Sequence, residues 1–547
     1  MMVQAFDLAA HGRAMRAGGF WLDRTVDQYL VDSIARTPDK AAVIGYRADR
    51  PTAAHLSYAE LGDKVARAAG ALRRLGVGPG DVIAVQLPNW WEFVVAALAG
   101  GRLGAVVNPL MPIFRERELG YMLGFAEAKI LVVPKMFRGF DHEAMAEGMR
   151  ADLPKLEHVI VVDGAGTNSF QRMLLEGGDR VEAPAAGGGA ALAPDDLAVM
   201  MFTSGTTGSP KGVMHTSNSL IACTNALSGR FHLSADDVML ACSPVGHMTG
   251  YAAVMVLAIR LGATTVLQDV WQVKEGVRIM RDERVTYTAA STPFLADICD
   301  TVAGGASRPA HLRSFLCGGA PIPPVLIERA ARELDLKVCS LWGMTESLSS
   351  TLTEPERAAE KSSSTDGRAL EGVDVRVVDL DGKELPLGET GRLMVRGAQL
   401  FAGYYKRPDL QTFDAEGWFD TGDLAHMDRE GYIRINGRTK DVLIRGGENV
   451  PVFEIESLLH QHPAVTIAAI VGYPDDRLGE RACAFVVLRP DAKLDLADVQ
   501  AWMTESKVAK QYWPERLVVL SDLPRTPSGK IQKFKLRELA ATAPARA

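Results

Sequence analysis

No stretch of this 547-residue chain approaches the roughly 20 consecutive apolar residues that a membrane-spanning helix needs. The longest apolar runs, Phe93 to Ala99 and Ala252 to Ile259, stop far short. The N-terminus, MMVQAFDLAAHGRAMRAGG, lacks the apolar core of a secretory signal. Cysteine is scarce. The six residues, Cys223, Cys242, Cys299, Cys317, Cys339 and Cys483, include no Cys-x-x-Cys pair. Their spacing suggests neither a zinc site nor a disulfide framework and fits a reducing compartment. A basic excess is also missing: 60 Lys plus Arg stand against 67 Asp plus Glu, a net charge of −7. Binders of nucleic acid or of membrane surfaces usually show the opposite balance. The expectation is a cytoplasmic, multidomain enzyme with no nucleic-acid partner and no integral membrane contact.

The rest of the composition is ordinary for a globular chain, with 47% hydrophobic and 23% charged residues. At roughly 150 residues per domain the length suggests about three to four domains or subdomains. A core of that size needs no metal or disulfide staple.

Residues 57 to 75 read as an amphipathic helix, with Leu61, Val65, Ala68 and Leu72 recurring at spacings of three and four. Val82 to Leu87 reads as a buried strand, a second helix starts near Trp90, and Ala105 to Asn108 reads as another strand. This alternation predicts a layered α/β fold with a mainly parallel sheet. Residues 183 to 191, APAAGGGAA, read as a small-residue linker, and Asp196 to Phe202 as a strand. From Asp374 the texture changes to short strands separated by Gly turns, which predicts a small antiparallel sheet or barrel. The predicted boundary follows residue 440, giving a large domain over 1–440 and a small α+β domain over 441–547. In the small domain, residues 453–462 read as a helix and residues 466–473 and 482–489 as strands. A second helix from about Asp495 turns Leu496, Val499 and Trp502 or Met503 inward.

Four segments carry candidate chemistry. In Met201 to Gly212, MFTSGTTGSPKG, a buried strand leads into hydroxyl residues, glycines and Lys211. Glycines let backbone N–H groups converge on an anion, hydroxyls add donors and Lys adds charge, which is how phosphates are cradled. It is not a Walker A loop, because Lys211 is flanked by Pro210 and Gly212. The two Gly-Lys pairs, ending at Lys383 and Lys530, are followed by Glu384 and Ile531, so a P-loop NTPase is disfavoured. A plain flexible Ser/Gly loop is the bland alternative. Leu341 to Glu346, LWGMTE, supplies an aromatic plane, a hydroxyl and a carboxylate able to hold Mg²⁺, unless Trp342 is simply a core residue. Gly417 to Asp423, GWFDTGD, sets a carboxylate that can accept from ribose hydroxyls, or merely caps a turn. Pro524 to Lys530, PRTPSGK, presents a Lys on a Pro/Gly loop or is an exposed basic tail.

Together and in this order, TSGTTGSPKG, WGMTE, GWFDTGD, GRTKDVLIRGGENV and PRTPSGK resemble the adenylate-forming (AMP-binding) superfamily. The resemblance runs from about Phe20 to Leu539. Residues 244–250 (PVGHMTG), 315–320 (FLCGGA) and 445–449 (RGGEN) look closest to bacterial short- and medium-chain acyl-CoA synthetases and cyclohexanecarboxylate–CoA ligases. It implies an ATP- and Mg²⁺-dependent acid–CoA ligase. A carboxylate attacks the α-phosphate of ATP to give acyl-adenylate and pyrophosphate, and the CoA thiol then displaces AMP. By resemblance, Thr203, Ser204, Gly205, Thr206, Thr207, Gly208 and Lys211 bind the ATP phosphates. Thr345 contacts the α-phosphate, and Glu346 ligates Mg²⁺. Gly318, Gly319 and Ala320, with Trp342 and Gly343, frame the nucleotide; Asp423 and Arg438 bind ribose. The family more often carries Tyr at the position of Trp342, which keeps the plane and loses the hydroxyl. Lys530 bridges the carboxylate and α-phosphate during adenylation. Lys440 is the hinge about which the Lys530 loop gives way to Gly446, Gly447 and Glu448, which line the CoA tunnel. His247, Met248 and Met344 wall an apolar, adaptable acyl pocket, unless His247 only packs or caps a helix. The implied acid is a medium-chain fatty or alicyclic one. A stand-alone adenylation enzyme that loads a carrier protein and an aryl-acid–CoA ligase are the alternatives, and a homodimer is left open.

Overall fold

The computed structural model describes residues 8–183, 192–203, 210–319, 322–410, 413–439, 443–445, 448–450, 452–475, 477–506, 508–525 and 531–542. The chain divides into two compact units, 1–374 with 395–419, and 375–394 with 420–547. Compactness therefore groups 420–439 with the C-terminal segment, whereas the sequence led to an expected boundary after Lys440. Lys440 itself lies outside the described residues, as does most of the expected linker at 183–191.

The predicted helix over 57–75 is Tyr58–Arg74. Ser57 caps it by accepting from the Glu60 N–H, while the Glu60 carboxylate accepts from the Ser57 N–H at 2.8 Å. This reciprocal cap satisfies two otherwise orphaned donors. Leu61, Val65, Ala68 and Leu72 are all buried, so the three-four spacing does mark the core face. Burying a Leu or Val side chain contributes about 1.5–3 kcal/mol, which fixes this face against the core.

Among the described residues the first unit holds a nine-stranded and a seven-stranded sheet. In the nine-stranded sheet, Lys337–Met344, Ser314–Gly318, Tyr287–Ala290, Val238–Ala241, Thr264–Gln268 and Ala41–Tyr46 lie side by side and parallel. In the seven-stranded sheet, the parallel strands Val82–Val85, Val106–Pro109, Ile130–Pro134 and His158–Val162 are joined by Leu197–Thr203. Lys211–Thr216 then returns antiparallel to Leu197–Thr203, and Gly403–Tyr404 closes that edge. Helices cover these strands, so the strands read as continuous apolar runs rather than alternating ones.

A four-stranded sheet formed by Val373–Val378, Gly391–Gly397, Phe419–Met427 and Ile433–Arg438 accounts for the short-strand texture after Asp374. In the second unit, Val465–Asp475 and Gly479–Leu488 are paired antiparallel within a five-stranded sheet. Ala468 and Ile470 face the helices Val452–Gln461 and Leu496–Glu505, whereas Ala469, Val471 and Tyr473 face Leu536 and Ala540 of Lys533–Thr542. Val499 and Met503 are fully buried, and Trp502 is only partly so. All six cysteines are buried and unpaired. No helix among the described residues is long and apolar enough to cross a membrane.

Candidate active site

In an open parallel sheet, ligand sites form beyond the carboxyl ends of the strands, where loops diverge. Three predicted segments leave strands of the nine-stranded sheet at that edge. Ser314–Gly318 ends at Gly318, and Gly319 follows at φ +88°, a left-handed conformation that suits glycine. Lys337–Met344 lies alongside, with Gly318 opposite Leu341, so Trp342 and Gly343 follow directly beside the glycines. Trp342 is buried, and Ala320 lies outside the described residues. Val238–Ala241 leads into the loop that carries His247 and Met248.

The strand Lys337–Met344 turns back as Leu348–Leu352, with an irregularity between Trp342 and Gly343. A Cβ at residue 343 would lie 1.9 Å from the Leu348 carbonyl oxygen, so only glycine lets the strand fold back this tightly. Thr345 and Glu346 sit in this turn. Their position is held from the other sheet. His215, on Lys211–Thr216, approaches the Thr345 carbonyl with Nε2 at 2.7 Å and the Ser219 hydroxyl with Nδ1 at 3.0 Å. A carbonyl only accepts, so Nε2 carries the proton and donates. The ring is wholly buried, and desolvation pushes its pKa down to about 4, so it is neutral near pH 7.

Glu346 is buried, and the Tyr404 hydroxyl donates to its Oε1 at 2.9 Å. The Phe401 N–H donates to the Glu346 carbonyl at 2.8 Å. Tyr404 stands beside Val213 in the adjoining strand, and Lys211 Nζ lies 4.8 Å from the centre of its ring. Burial and the nearby Glu346 carboxylate raise the Tyr404 pKa, which keeps the hydroxyl protonated and donating. Lys211 is paired in register with Thr203, so these two residues stand at the two feet of the connecting loop. The structure thus brings Thr203, Lys211, Thr345 and Glu346 together through Tyr404 and His215. Ser204, Gly205, Thr206, Thr207 and Gly208 lie outside the described residues.

His247 caps the short helix Met248–Gly250, its Nδ1 accepting from the Thr249 N–H at 3.2 Å. Met248 is buried, and Met344 is half-buried at the strand end. Asn89 holds the loop: its Nδ2 donates to the carbonyls of Ala241 and Ser243 at 2.8 and 3.1 Å. Its Oδ1 accepts from the Val245 N–H at 2.8 Å.

In the second unit, Asp423 and Arg438 face each other across the strands Phe419–Met427 and Ile433–Arg438. Arg438 Nε donates to Asp423 Oδ1 at 2.9 Å, with the carboxylate buried and the guanidinium half-exposed. Thr421 Oγ1 accepts from the Asp423 N–H at 3.1 Å. Lys440, Gly446, Gly447 and Lys530 lie outside the described residues; Glu448 starts the strand Glu448–Val450, and its side chain is outside them.

Sequence reasoning missed His215, Tyr404 and Asn89. A polar residue inside the apolar strand Lys211–Thr216 was the available signal for His215. Tyr404 is separated from Glu346 by 58 residues, and no local pattern marks that pairing.

The pattern that defines AMP-binding enzymes matches residues 30–405, and that of the AMP-binding enzyme C-terminal domain matches residues 454–530. A medium-chain fatty-acid–CoA ligase of Escherichia coli (strain K12) is 36% identical over 532 residues, covering 96% of this chain and 92% of that protein. A salicyl-AMP ligase / salicyl-S-ArCP synthetase of Mycobacterium tuberculosis (strain ATCC 25618 / H37Rv) is 35% identical over 533 residues, covering 96% of this chain and 92% of that protein. The crystal structure of ATP-bound MatB from Rhodopseudomonas palustris superposes with a TM-score of 0.83 at 28% identity, covering 95% of this chain and 99% of that one. With both patterns matched and relatives aligned over nearly their full length, this chain belongs to the AMP-binding enzymes, the adenylate-forming superfamily.

Proposed function

We propose that this enzyme is an ATP-dependent carboxylic acid–CoA ligase acting on a medium-chain fatty or alicyclic, cyclohexanecarboxylate-like acid. One observation carries the reading: Tyr404 touches both Lys211 and Glu346, so a cation and a carboxylate stand on two sides of one ring at the foot of the phosphate loop. A carboxylate and a triphosphate repel each other, so their reaction needs charge of this kind held in place.

In the first step a carboxylate oxygen attacks the α-phosphorus and pyrophosphate leaves. Thr203, Lys211 and the loop residues Ser204 to Gly208 hold the β- and γ-phosphates, and Thr345 meets the α-phosphate. Glu346 would hold Mg²⁺, a hard cation that favours oxygen ligands such as a carboxylate. Mg²⁺ there supplies neutralisation of the phosphate charge. Asp423 and Arg438 bind ribose, and Lys530 neutralises the charge that develops at the α-phosphate. In the second step the CoA thiol attacks the acyl carbonyl and AMP leaves, with Gly446, Gly447 and Glu448 along the thiol's approach after rotation about Lys440.

Met248, Met344 and His247 line the acyl pocket. Methionines supply an apolar and adaptable wall, which suits an aliphatic or alicyclic body. The relative named for salicyl-AMP and salicyl-S-ArCP synthesis supports a second reading, an aryl acid or a carrier-protein acceptor. A panel of carboxylic acids scored for ATP- and CoA-dependent AMP release tests both. Release with medium-chain or alicyclic acids and free CoA is expected. Release that needs a carrier protein, or only aryl acids, overturns the proposal.

A further inference from the structure

Helix Val26–Arg36 packs against the short helix Leu257–Leu261, and an open cleft of about 550 Å³ lies at their junction. Tyr29, Asp32 and Arg36 fall at successive spacings of three and four, so helix geometry puts them on one face. Arg24, from the segment before the helix, and Arg260, from the second helix, complete the polar lining. Three arginines therefore line a cleft that holds one carboxylate.

That carboxylate is engaged. Arg24 Nη2 donates to Asp32 Oδ2 at 2.7 Å, and its guanidinium lies 4.2 Å from the Tyr29 ring centre. Arg36 Nε donates only to the Asp32 backbone carbonyl, at 3.3 Å. Arg260 is the most enclosed of the three. Its Nη2 donates to the Thr224 carbonyl at 3.2 Å and to the Ser228 hydroxyl, while its Nε is buried with no hydrogen-bond partner among the described residues. Tyr29 is the titratable group that faces it, and burial lowers its pKa from the usual arginine value. Lys40 stands nearby, donating to the Gly262 carbonyl at 2.7 Å, with Asp236 and Asp237 as its own counter-charges. A buried guanidinium with no facing carboxylate is costly, and an anion in the cleft removes that cost.

We propose that this cleft is an anion site for a phosphate group, held by Arg24, Arg36 and Arg260. The planar guanidinium matches phosphate geometry in a way that a lysine cluster does not. Tyr29 and Leu261 give the cleft an apolar floor beside the charges, enough to take the body of a small organic phosphate as well as the free ion. The site is separate from the adenylation chemistry and does not depend on the reaction proposed above.

Isothermal titration calorimetry on the full chain tests it, read as the difference between the wild type and a variant of the cleft rim. The two probes are inorganic phosphate and glycerol 3-phosphate. One binding event per chain is expected. Arg24→Gln/Arg36→Gln, both at the cleft rim, should weaken it about tenfold or more while ATP–pyrophosphate exchange stays at the wild-type rate. Arg260→Met should abolish it, and because Arg260 also holds Thr224 and Ser228, the rim variant carries the test if that protein fails to fold. Tighter binding of glycerol 3-phosphate identifies an organic phosphate as the occupant, and matched affinities identify the free ion. Absence of a binding event, or an event that survives intact in the rim variant, overturns the proposal.

Discussion

His215 ties the stability of the first unit to pH and also to the geometry of Thr345. Its ring is buried and neutral, with a pKa pushed down to about 4 from 6.5 in the unfolded chain. At about 1.4 kcal/mol per unit the difference amounts to roughly 3 kcal/mol. The folded form resists the proton and the unfolded form takes it. The contribution is therefore present above about pH 6.5 and is lost as pH falls towards about pH 4. Between about pH 7 and pH 5 the loss from this residue is roughly 2 kcal/mol. Three other histidines, His11, His142 and His460, have lowered pKa values too, all chiefly through desolvation, so the informative quantity is a difference between proteins. His215→Gln keeps an N–H within reach of the Thr345 carbonyl and cannot titrate. Urea unfolding at the two pH values should show a pH loss smaller by roughly 2 kcal/mol than in the wild type. His215→Phe leaves the Thr345 carbonyl unpaired, at about 1–3 kcal/mol, and should lower ATP–pyrophosphate exchange about tenfold or more. The Gln variant should keep most of that exchange. The reasoning is refuted if the Gln variant loses as much stability as the wild type, or if the Phe variant exchanges at the wild-type rate.

Tyr404→Phe removes the hydrogen bond to the buried Glu346 carboxylate while the ring keeps its contact with Phe401, 4.9 Å away. A bond to a charged group is worth about 1.5–3 kcal/mol, so exchange should fall about tenfold or more with the fold intact; an unchanged rate would remove Tyr404 from the site. Gly343→Ala forces a Cβ against the Leu348 carbonyl, so it should destabilise by about 2 kcal/mol or more and displace Thr345–Glu346, both read by thermal unfolding and exchange. Lys530→Ala should lower adenylation about 10²-fold or more, while thioester formation from preformed acyl-adenylate continues; matched damage to both half-reactions would contradict its role. His247→Ala should shift acid preference with ATP affinity nearly unchanged, and normal acid selectivity would leave His247 as a capping residue alone.

Much of this protein was legible in its sequence because the relevant physics is local. The three-four spacing of Leu61, Val65, Ala68 and Leu72 marks a buried helix face whatever the rest of the chain does. The apolar run before the Gly-rich segment sets the strand Leu197–Thr203 without reference to distant residues. The contiguous motifs TSGTTGSPKG and WGMTE carry the family by themselves. What tertiary structure alone decided is how separate motifs meet. Thr345 and Glu346 owe their setting to His215, 130 residues from Thr345, and to Tyr404, 58 residues from Glu346, both delivered by strands of a second sheet. The cleft at Arg24, Arg36 and Arg260 exists only because two helices more than 200 residues apart in sequence pack together. Neither arrangement leaves a periodic trace, because hydrogen bonds and charge convergence between distant segments depend on the packed fold and not on spacing along the chain.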